Sequence, residues 1–554
     1  MKQTLTDILL QALEEAKTKG ELKLETKPAV SLETPREKNR GDLATTLALT
    51  LAKSESKPPR KIAEIIIGNI RDGEGIIEKT EIAGPGFINF FLTQDRWKKT
   101  LFDINEAGSA YGLRDVGKGE NILVEFVSAN PTGPLHVGHG RGAAVGDALA
   151  NLLASVGFKV TREFYINDAG RQIRLLAQSV YSRYQQLLGN DIAFPEDGYH
   201  GDYIQEIAQD FRTTRGDRFL NIPFEACEKE FAGFSKDAML ADIRTDLEAF
   251  GVKFDTWFSE ASLLESGAVQ QSLDELLESR NLYEQDGALW LRSTLFGDDK
   301  DRVVVKKDKS YTYLATDIAY HRNKLGRGFN TLVNIWGADH HGYIPRVRAV
   351  IQAFGHAKDS LHVLLVQLVA ILRHGQPVPM SKRAGTFVTL RDVVQDVGAD
   401  AARFIFLTRR SDSHLDFDLD TAKEQSRENP VYYVQYAHAR LASIFREAET
   451  RNIAMPGRGE ADLALLDLEE ERAIIKLLAK YPEVVEEAAL AYEPHRLTFY
   501  LQELAGLLHN YYFKHRVLTD DAKRTGAKLF LMKQVKTVIQ SALGILGVNA
   551  PERM

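Results

Sequence analysis

The sequence predicts an α/β protein, in which a parallel-sheet domain follows a small α/β module and precedes an all-α helical bundle. The segment 121-NILVEFV-127 is strand-like and leads through a glycine-proline turn into a long helical pattern and a second strand-like run, 159-KVTREFYIN-167. A strand, a helix and a strand in this order form a βαβ unit, and such units build parallel sheets. Beyond about residue 421, long apolar periodicities without strand patterns predict the helical bundle.

The N-terminal α/β module is expected to span residues 1–115. Helical periodicity runs through residues 42–70 and is interrupted at Pro58 and Pro59. The run IEKTEIAGPGFINFFL, residues 77–92, predicts two strands around an Ala-Gly-Pro-Gly turn.

The parallel-sheet domain is expected to span residues 116–420 and the helical bundle residues 421–554. The helix after the first strand has an apolar face and is expected to end at Gly157. Residues 175–290 are mostly polar and helical, which predicts an insertion between two halves of the sheet. Strand-like runs return at residues 289–293, 302–307, 331–337 and 361–371.

Composition excludes several classes of protein. The chain has 554 residues, 44% of them hydrophobic, and a net charge of −7, so any nucleic-acid surface would have to be a local basic patch. Its single cysteine, Cys227, excludes an internal disulfide framework and a cysteine-rich zinc site. Neither a signal peptide nor an apolar run long enough for a membrane span is evident, so we expect a cytoplasmic protein with no membrane association.

The turn after the first strand, 130-NPTGPLHVGHGRG-142, is a candidate anion site. Pro134 stiffens its entry, Gly138 leaves space against the backbone, and the following helix presents unpaired N–H groups. His136 and His139 lie three residues apart, so both can donate hydrogen bonds to the phosphate oxygens of one ligand. The alternative is a tight strand-to-helix turn whose histidines cap neighbouring backbone groups.

The loop 375-GQPVPMSKRAGTFVTL-390 is a second candidate anion site. A mobile loop that carries Lys382 and Arg383 can place a cation over developing phosphate charge. The alternative is a solvated surface loop with an ordinary basic pair.

Together, HVGH and MSK about 240 residues later resemble the paired signatures of class I aminoacyl-tRNA synthetases, which bind ATP on a Rossmann-like catalytic domain. Proline replaces the first lysine of the second signature, at Pro379, and Arg383 replaces its last serine. The resemblance implies that His136, His139 and Lys382 act in catalysis. It adds to the ATP site Pro134, Gly138, Met380 and Ser381.

Four longer blocks, at residues 124–141, 311–324, 334–346 and 432–441, resemble arginyl-tRNA synthetases, and the likeness extends over essentially the whole chain. It implies that the chain ligates L-arginine to its cognate tRNA through an arginyl-adenylate, using ATP with Mg²⁺. It also implies a monomer that needs bound tRNA before it forms the adenylate, with the N-terminal module at the tRNA elbow and the helical bundle at the anticodon. A small-molecule nucleotidyltransferase and a non-catalytic tRNA-binding relative are the alternatives.

A pocket that selects a guanidinium needs carboxylates, because the group presents five donors in a planar fork. The resemblance assigns this role to Glu125 and Asp317, with Tyr313 shaping the pocket, and it places Asn130 and Ser128 at the amino-acid end. The alternatives are that Glu125 points outward from its strand and that Asp317 caps a helix.

The run 336-WGADHHGY-343 follows another strand. The resemblance implies that Asp339 contacts the ATP ribose, and that either His340 or His341 faces the aminoacyl end. A zinc site at these three residues is the alternative; since adjacent histidines point apart and no third ligand is evident, we expect no bound metal. The turn 167-NDAGRQ-172 also resembles one beside the family's active site.

A basic stretch in the predicted bundle, residues 514–536, holds seven Lys and Arg against two Asp and follows Tyr511, Tyr512 and Phe513. Cations next to aromatic rings suit single-stranded RNA loops, although a solvated helix face with core aromatics would look the same. Candidate tRNA-binding residues are Tyr432, Tyr436, Arg440, Lys514, Arg516, Lys523 and Arg524.

Overall fold

The computed structural model describes residues 2–35, 37–378, 388–457 and 460–554. The chain forms two compact units. The first comprises Met1–Tyr111, Leu441–Tyr481 and Gly506–Val538, and the second comprises Gly112–Arg440, Pro482–Ala505 and Ile539–Met554.

The N-terminal part of the first unit is a three-stranded antiparallel sheet flanked by helices. Its elements are α1 (Lys2–Thr18), β1 (Leu43–Thr45), α2 (Leu47–Glu55), α3 (Pro59–Gly68), β2 (Ile77–Ala83), β3 (Phe87–Leu92) and α4 (Gln94–Ala107), and the sheet has the order β1-β3-β2. The hairpin of β2 and β3 and the helix break at Pro58 and Pro59 confirm the predictions. The expected helix from residue 42 is wrong at its start, because residues 43–45 pair with β3 as an edge strand.

The second unit is built around a five-stranded parallel sheet. Its elements up to the second half of this sheet are β4 (Asn121–Glu125), α5 (Val137–Ser155), β5 (Lys159–Ile166), α6 (Arg171–Leu187), α7 (Asp202–Arg215), α8 (Phe224–Ala249), β6 (Thr256–Ser259), α9 (Glu260–Glu265), α10 (Ala268–Glu278), β7 (Leu282–Gln285), β8 (Ala288–Leu291) and β9 (Arg302–Val305). The elements that follow are α11 (Tyr313–Gly326), β10 (Thr331–Gly337), α12 (Ile344–Ala353), β11 (Leu361–Val366), β12 (Val369–Arg373), β13 (Gln376–Pro377), α13 (Leu390–Val397), α14 (Ala399–Phe406), β14 (Leu415–Asp418) and α15 (Leu419–Lys423).

The strand order of the parallel sheet is β11-β10-β4-β5-β6, and every pairing in it is parallel. The chain leaves β4 toward β5 and β6 and later returns on the other side of β4 as β10 and β11. In such a sheet, ligands bind at the carboxyl ends of the two strands where the order reverses, here β4 and β10.

The first helix of the unit packs closely on this centre. A Cβ on Gly146 of α5 would lie 2.2 Å from the ring of Phe126, so only glycine lets the helix approach the end of β4. The helix ends before Gly157, whose φ of +93° suits a residue without a side chain. Both features agree with the βαβ unit predicted from the sequence.

Three strand predictions were wrong in detail. The mostly helical region 175–290 includes β6, which is an edge strand of the parallel sheet, so it does not simply separate two halves of that sheet. The runs at residues 289–293 and 302–307 contain β8 and β9, which join β7 in a separate antiparallel sheet of order β7-β8-β9. The run 361–371 forms two strands that belong to different sheets. The chain leaves the parallel sheet at Gln367, because its backbone N–H donates to Ser411 (2.8 Å) and its carbonyl accepts from Arg141 (2.9 Å).

The C-terminal part of the chain is helical, as predicted. Its helices are α16 (Pro430–Thr450), α17 (Glu469–Leu490), α18 (His495–Lys514) and α19 (Ala522–Ile545), and their residues are divided between the two units. Within the described residues, no helix has the length and apolarity needed to span a bilayer.

Candidate active site

The chain leaves β4 through an uncommon backbone conformation. Val127 and Ser128 have φ values of +66° and +41°, and a positive φ is rare for any residue other than glycine and costly for a β-branched one. The turn brings the Ser128 hydroxyl back to Glu125, where it donates to Oε1 (3.0 Å) while accepting from the backbone N–H of Tyr165 (3.2 Å). Local strain of this kind is commonly found at functional sites.

The two histidines of the HVGH turn cap the start of α5. His136 is the N-cap residue, and its Nδ1 accepts from the backbone N–H groups of Gly138 (3.1 Å) and His139 (3.3 Å); Nδ1 of His139 accepts from the N–H of His136 (3.3 Å). The rings stack with centroids 3.6 Å apart. The capping alternative is therefore present, and it also has a chemical consequence: in the neutral ring an accepting Nδ1 leaves the proton on Nε2, as a hydrogen-bond donor.

Gly138 lies close against the ring of His136. A Cβ at that position would lie 3.0 Å from Cε1 of His136, so the space expected beside Gly138 is taken by the ring of His136 itself. Pro134 is half-buried in the coil before the helix.

The chain after the MSK loop joins the same turn. The N–H of Leu390 donates to the carbonyl of Leu135 (2.8 Å), and the N–H of Val137 donates to the carbonyl of Val388 (3.2 Å). Met380, Ser381 and Lys382, together with the rest of residues 379–387, lie outside the described residues.

Glu125 is buried at the carboxyl end of β4, so the alternative of an outward-facing residue is wrong. Its Oε2 accepts from the buried ammonium of Lys324 on α11 (2.5 Å), and Lys324 also donates to Oδ1 of Asn334 (3.0 Å). With Ser128 on Oε1, both carboxylate oxygens of Glu125 have a partner.

Asp317 lies one turn into α11, whose N-cap is Thr312, so the helix-cap alternative for Asp317 is wrong. Its carboxylate accepts a hydrogen bond from the hydroxyl of Tyr343. Burial raises the pKa of Asp317 to about 7; the negative charges of Glu125 and Glu260 add to this rise, while the Tyr343 hydrogen bond opposes it.

Glu260 is a third carboxylate in this place. It is buried at the start of α9, directly after β6, and the side chains of Thr316 and Tyr165 lie beside it and oppose the rise of its pKa. Burial is the largest cause that raises the pKa of Glu260, and the charge of Asp168 adds to it. Asp317 therefore lies within electrostatic range of two other carboxylates and one buried ammonium, and this excess of negative charge makes the site attractive to a cation.

Asp168 and Gln172, from the turn after β5, support neighbouring groups. Asp168 accepts from the hydroxyl of Ser259 (2.8 Å) and from the backbone N–H of Ala261 (2.9 Å), so it holds the start of the helix that carries Glu260. The amide of Asn130 donates to Gln172 (2.8 Å).

The remaining predicted ligand-binding residues are exposed. Tyr313 begins α11, one turn before Asp317, with 84% of its surface accessible. Asp339, His340 and His341 occupy the 3₁₀ turn that follows β10, with Nε2 of His340 3.7 Å from Oδ2 of Asp339. Among the described residues, no group of three or more potential ligands is arranged to hold a metal ion.

The predicted tRNA-binding residues fall into two groups. Tyr432, Tyr436 and Arg440 form a ladder on α16: the two rings stack 5.7 Å apart, and the guanidinium lies 4.8 Å from the centroid of the Tyr436 ring. In the first unit, Lys514 pairs with Glu470 (2.9 Å) and Arg524 with Asp467 (3.4 Å), and Arg516 and Lys523 are exposed.

The aromatic residues before the basic stretch differ in environment. Tyr511 is fully buried and donates to Glu471 (2.9 Å), so it belongs to the core, whereas Phe513 is 90% exposed.

Sequence reasoning missed Glu260, Lys324 and Tyr343. A signal existed for Glu260, because FDTWFSE ends a short aromatic run with a carboxylate. Lys324 carries no such signal, since only the fold brings it to Glu125.

Three successive parts of the chain match known protein families. Residues 3–92 match the arginyl tRNA synthetase N terminal domain, residues 107–427 match the catalytic domain of class I tRNA synthetases (R), and residues 434–554 match the DALR anticodon binding domain.

Whole-chain comparisons agree. The chain is 50% identical to the arginine–tRNA ligase of Citrifermentans bemidjiense over all of both chains, and 49% identical to that of Bacillus licheniformis over 99% of each. A putative arginyl-tRNA synthetase structure from Campylobacter jejuni superimposes with a TM-score of 0.76 at 35% identity, covering 84% of this chain and all of that one. The Thermus thermophilus arginyl-tRNA synthetase structure, at 23% identity over all of both chains, has the same fold with a TM-score of 0.76. The chain has a turn suited to a nucleotide and a cluster of carboxylates where the strand order of its parallel sheet reverses, and its similarity to these proteins extends over its whole length. It belongs to the arginyl-tRNA synthetase family.

Proposed function

We propose that this chain ligates L-arginine to its cognate tRNA in two steps, through an arginyl-adenylate, and that the reaction takes place at the carboxyl ends of β4 and β10. The observation that carries the proposal is the pairing of the HVGH turn with an acidic pocket beside it. The turn suits the phosphates of ATP, and the pocket suits an amino acid with a cationic side chain.

In the first step, a carboxylate oxygen of arginine attacks the α-phosphorus of ATP. The new P–O bond forms as the bond to pyrophosphate breaks, and negative charge grows on the phosphate oxygens. Nε2–H groups of His136 and His139, the start of α5 and the ammonium of Lys382 stabilise that charge, with no protein nucleophile required. Mg²⁺ enters with ATP as part of the substrate, and Pro134, Gly138, Met380 and Ser381 complete the ATP site.

The pocket selects arginine by its charge. Glu125 and Asp317 were expected to hold the guanidinium, and the burial and position of Glu260 support a place for it beside Asp317. When all three carboxylates are ionised, the ammonium of Lys324 offsets only one of them, and the remaining negative charge attracts the guanidinium of arginine. Tyr313 covers the pocket from the solvent side.

The other ligand contacts follow from position. Ser128 and Asn130, which follow Glu125 and precede the HVGH turn in the sequence, hold the amino-acid end of the ligand. Asp339, after β10, contacts the ATP ribose, and His340 or His341 faces the aminoacyl end.

In the second step, a hydroxyl of the terminal adenosine of tRNA attacks the arginyl carbonyl and AMP leaves. The stacked ladder of Tyr432, Tyr436 and Arg440 contacts the tRNA, and so do the cations at positions 514, 516, 523 and 524. Bases of the tRNA stack on the rings, and its phosphates pair with the cations. We also propose that the chain acts as a cytoplasmic monomer.

The test is arginine-dependent exchange of pyrophosphate into ATP, measured with and without cognate tRNA. We expect exchange that requires arginine and increases strongly with tRNA, and none with citrulline, which has the same shape but no side-chain charge. Absence of exchange in both conditions, from folded protein, would contradict the proposal. Exchange that citrulline supports equally well would refute the acidic pocket alone.

A further inference from the structure

Lys324 is a buried cation whose ammonium group contacts three side chains. Its side chain has 0% exposure, and its ammonium donates to Glu125 (2.5 Å) and Asn334 (3.0 Å) and lies 4.2 Å from the centroid of the Tyr320 ring. Burying an ammonium costs several kcal/mol, and a buried ion pair by itself is weak support for stability. A pair of neutral residues could fill this space, so the charge itself needs an explanation.

The same helix carries the pocket carboxylate and the ammonium. Asp317 and Lys324 are seven residues apart on α11, which places them on one face, two turns from each other. His321 stands between them: its Nδ1 bonds the backbone carbonyl of Asp317 (2.8 Å), and its Nε2 lies 3.1 Å from the side-chain amide nitrogen of Asn334. Burial lowers the pKa of His321 to about 3, so the ring is neutral and accepts from that amide.

A buried chain of hydrogen bonds thus connects Glu125, Lys324, Asn334 and His321 to the backbone at Asp317. Asn334 on β10 lies directly opposite Glu125 on β4 in the sheet register. A displaced ammonium would therefore disturb the Glu125 carboxylate directly and the helix turn that bears Asp317 through Asn334 and His321.

We propose that Lys324 is a positioning residue for arginine, because it fixes Glu125 against the inner wall of the pocket and leaves Asp317 to meet the guanidinium. This inference rests on the arginine pocket proposed above. Without the ammonium, the charges of Glu125 and Glu260 would act on Asp317 with no cation to oppose them, and the three carboxylates would bind protons in competition with the substrate. The groups that act on Asp317 are Tyr343 from the turn before α12, Glu125 from β4, Glu260 from α9 and Lys324 from its own helix, and Tyr165 from β5 lies within reach of the same charges.

The neighbouring strand supplies a matched control. Glu163 lies opposite Glu125 in the register and is also fully buried, but its oxygens accept from Arg327 (2.5 and 2.9 Å) and from the Tyr320 hydroxyl (2.8 Å). The Glu163–Arg327 pair is therefore a second carboxylate–cation pair under the same helix, outside the proposed pocket.

The experiment compares Lys324→Met, Lys324→Arg and Arg327→Met in pyrophosphate exchange with tRNA present, between pH 6 and pH 9. For Lys324→Met we expect the KM for arginine to rise about tenfold or more at pH 7. We expect its KM for ATP to stay within about twofold, and the midpoint of its arginine-KM pH profile to move up by about one unit. Lys324→Arg should keep both values within about threefold. Arg327→Met should lose thermal stability and leave the arginine KM and its midpoint unchanged.

A purely structural role for Lys324 would make Lys324→Met behave like Arg327→Met, and that result would overturn the inference. If Lys324→Met does not fold, Asn334→Ala gives the answer, since it keeps the ammonium and removes both the oxygen that accepts from Lys324 and the amide group that donates to His321. We expect it to raise the arginine KM about threefold or more, and an unchanged KM in folded protein would overturn the inference. Asp317→Asn separates the two proposals. If it leaves the arginine KM unchanged the pocket itself is wrong, whereas a raised KM there with no effect of Lys324→Met refutes only the role of Lys324.

Discussion

The protonation of Asp317 should control how tightly the free enzyme takes up arginine. The perturbation is a change of pH between 6 and 8, with Asp317→Asn as the control. A guanidinium needs the ionised carboxylate as its partner, and burial raises the pKa of Asp317 to about 7, with Glu125 and Glu260 adding to the rise. Arginine binding should therefore expel a proton from Asp317 at and below neutral pH.

The magnitude follows from the titration curve. A substrate that binds only the ionised form has its KM multiplied by one plus the ratio of protonated to ionised carboxyl. With a pKa of about 7 the factor is about 11 at pH 6, about 2 at pH 7 and about 1.1 at pH 8. The arginine KM should thus fall about tenfold from pH 6 to pH 8, which corresponds to about 1.4 kcal/mol.

The assay is pyrophosphate exchange at saturating ATP and tRNA, with arginine varied at each pH. The KM for ATP is followed in parallel, because an effect of pH on the phosphate site would change the KM for ATP and not the KM for arginine. Asp317→Asn should show a KM for arginine that is raised about a hundredfold and does not vary with pH. An arginine KM that stays constant within twofold from pH 6 to pH 8, in protein that remains folded by circular dichroism, would refute the reasoning.

Three further predictions concern other parts of the molecule. Asp317→Asn should be more stable than the parent at pH 8, by up to about 4 kcal/mol in urea unfolding, and nearly equally stable near pH 4. The reason is that a carboxyl group whose pKa is raised on folding costs stability progressively as pH rises from about 4 to about 7. Equal stability at both pH values would contradict this. Gly138→Ala should lower kcat about tenfold and leave the arginine KM unchanged, because the added Cβ displaces the ring of His136. Unchanged steady-state kinetics would show that the position of this ring does not matter for catalysis. Phe513→Ala should weaken tRNA binding in a filter assay about fivefold to a hundredfold, because base stacking on the ring is lost. The control variant Phe499→Ala, which also removes an exposed ring, should not weaken it. Equal effects of the two variants would show that Phe513 is not part of the RNA-binding surface.

The parts of the fold that were predictable are those with a strong local pattern. The βαβ unit was readable because β4 and β5 are apolar runs on either side of a glycine turn and a long apolar helix face. Strand β6 was missed because four residues in a helical region carry no period of their own. The run 361–371 looked like one strand because the hydrogen bonds that remove Gln367 from the sheet come from Arg141 and Ser411, distant in sequence.

The candidate site divides in the same way. The histidine turn is a local motif, and its place after β4 follows from the sequence pattern. The roles of Glu125 and Asp317 came from resemblance, and the environments that distinguish them could not be foreseen. Whether a carboxylate meets an ammonium or a tyrosine hydroxyl depends on which elements pack together, as the pairing of Glu125 with Lys324 illustrates.

The contrast between these two carboxylates explains how the pocket can discriminate by charge. Glu125 has partners on both oxygens in the free protein, so its desolvation is already compensated. Asp317 accepts from Tyr343 and faces two other acids, so its ionised form is unfavourable until a cation arrives. Arginine removes that penalty, whereas a neutral isostere brings no charge to pair with the carboxylate. A site that leaves its polar groups without their intended partner can reject close analogues by large factors. The stability that the fold gives up at Asp317 is therefore recovered only when the substrate carries a positive charge, which ties selectivity to one carboxylate rather than to the shape of the pocket.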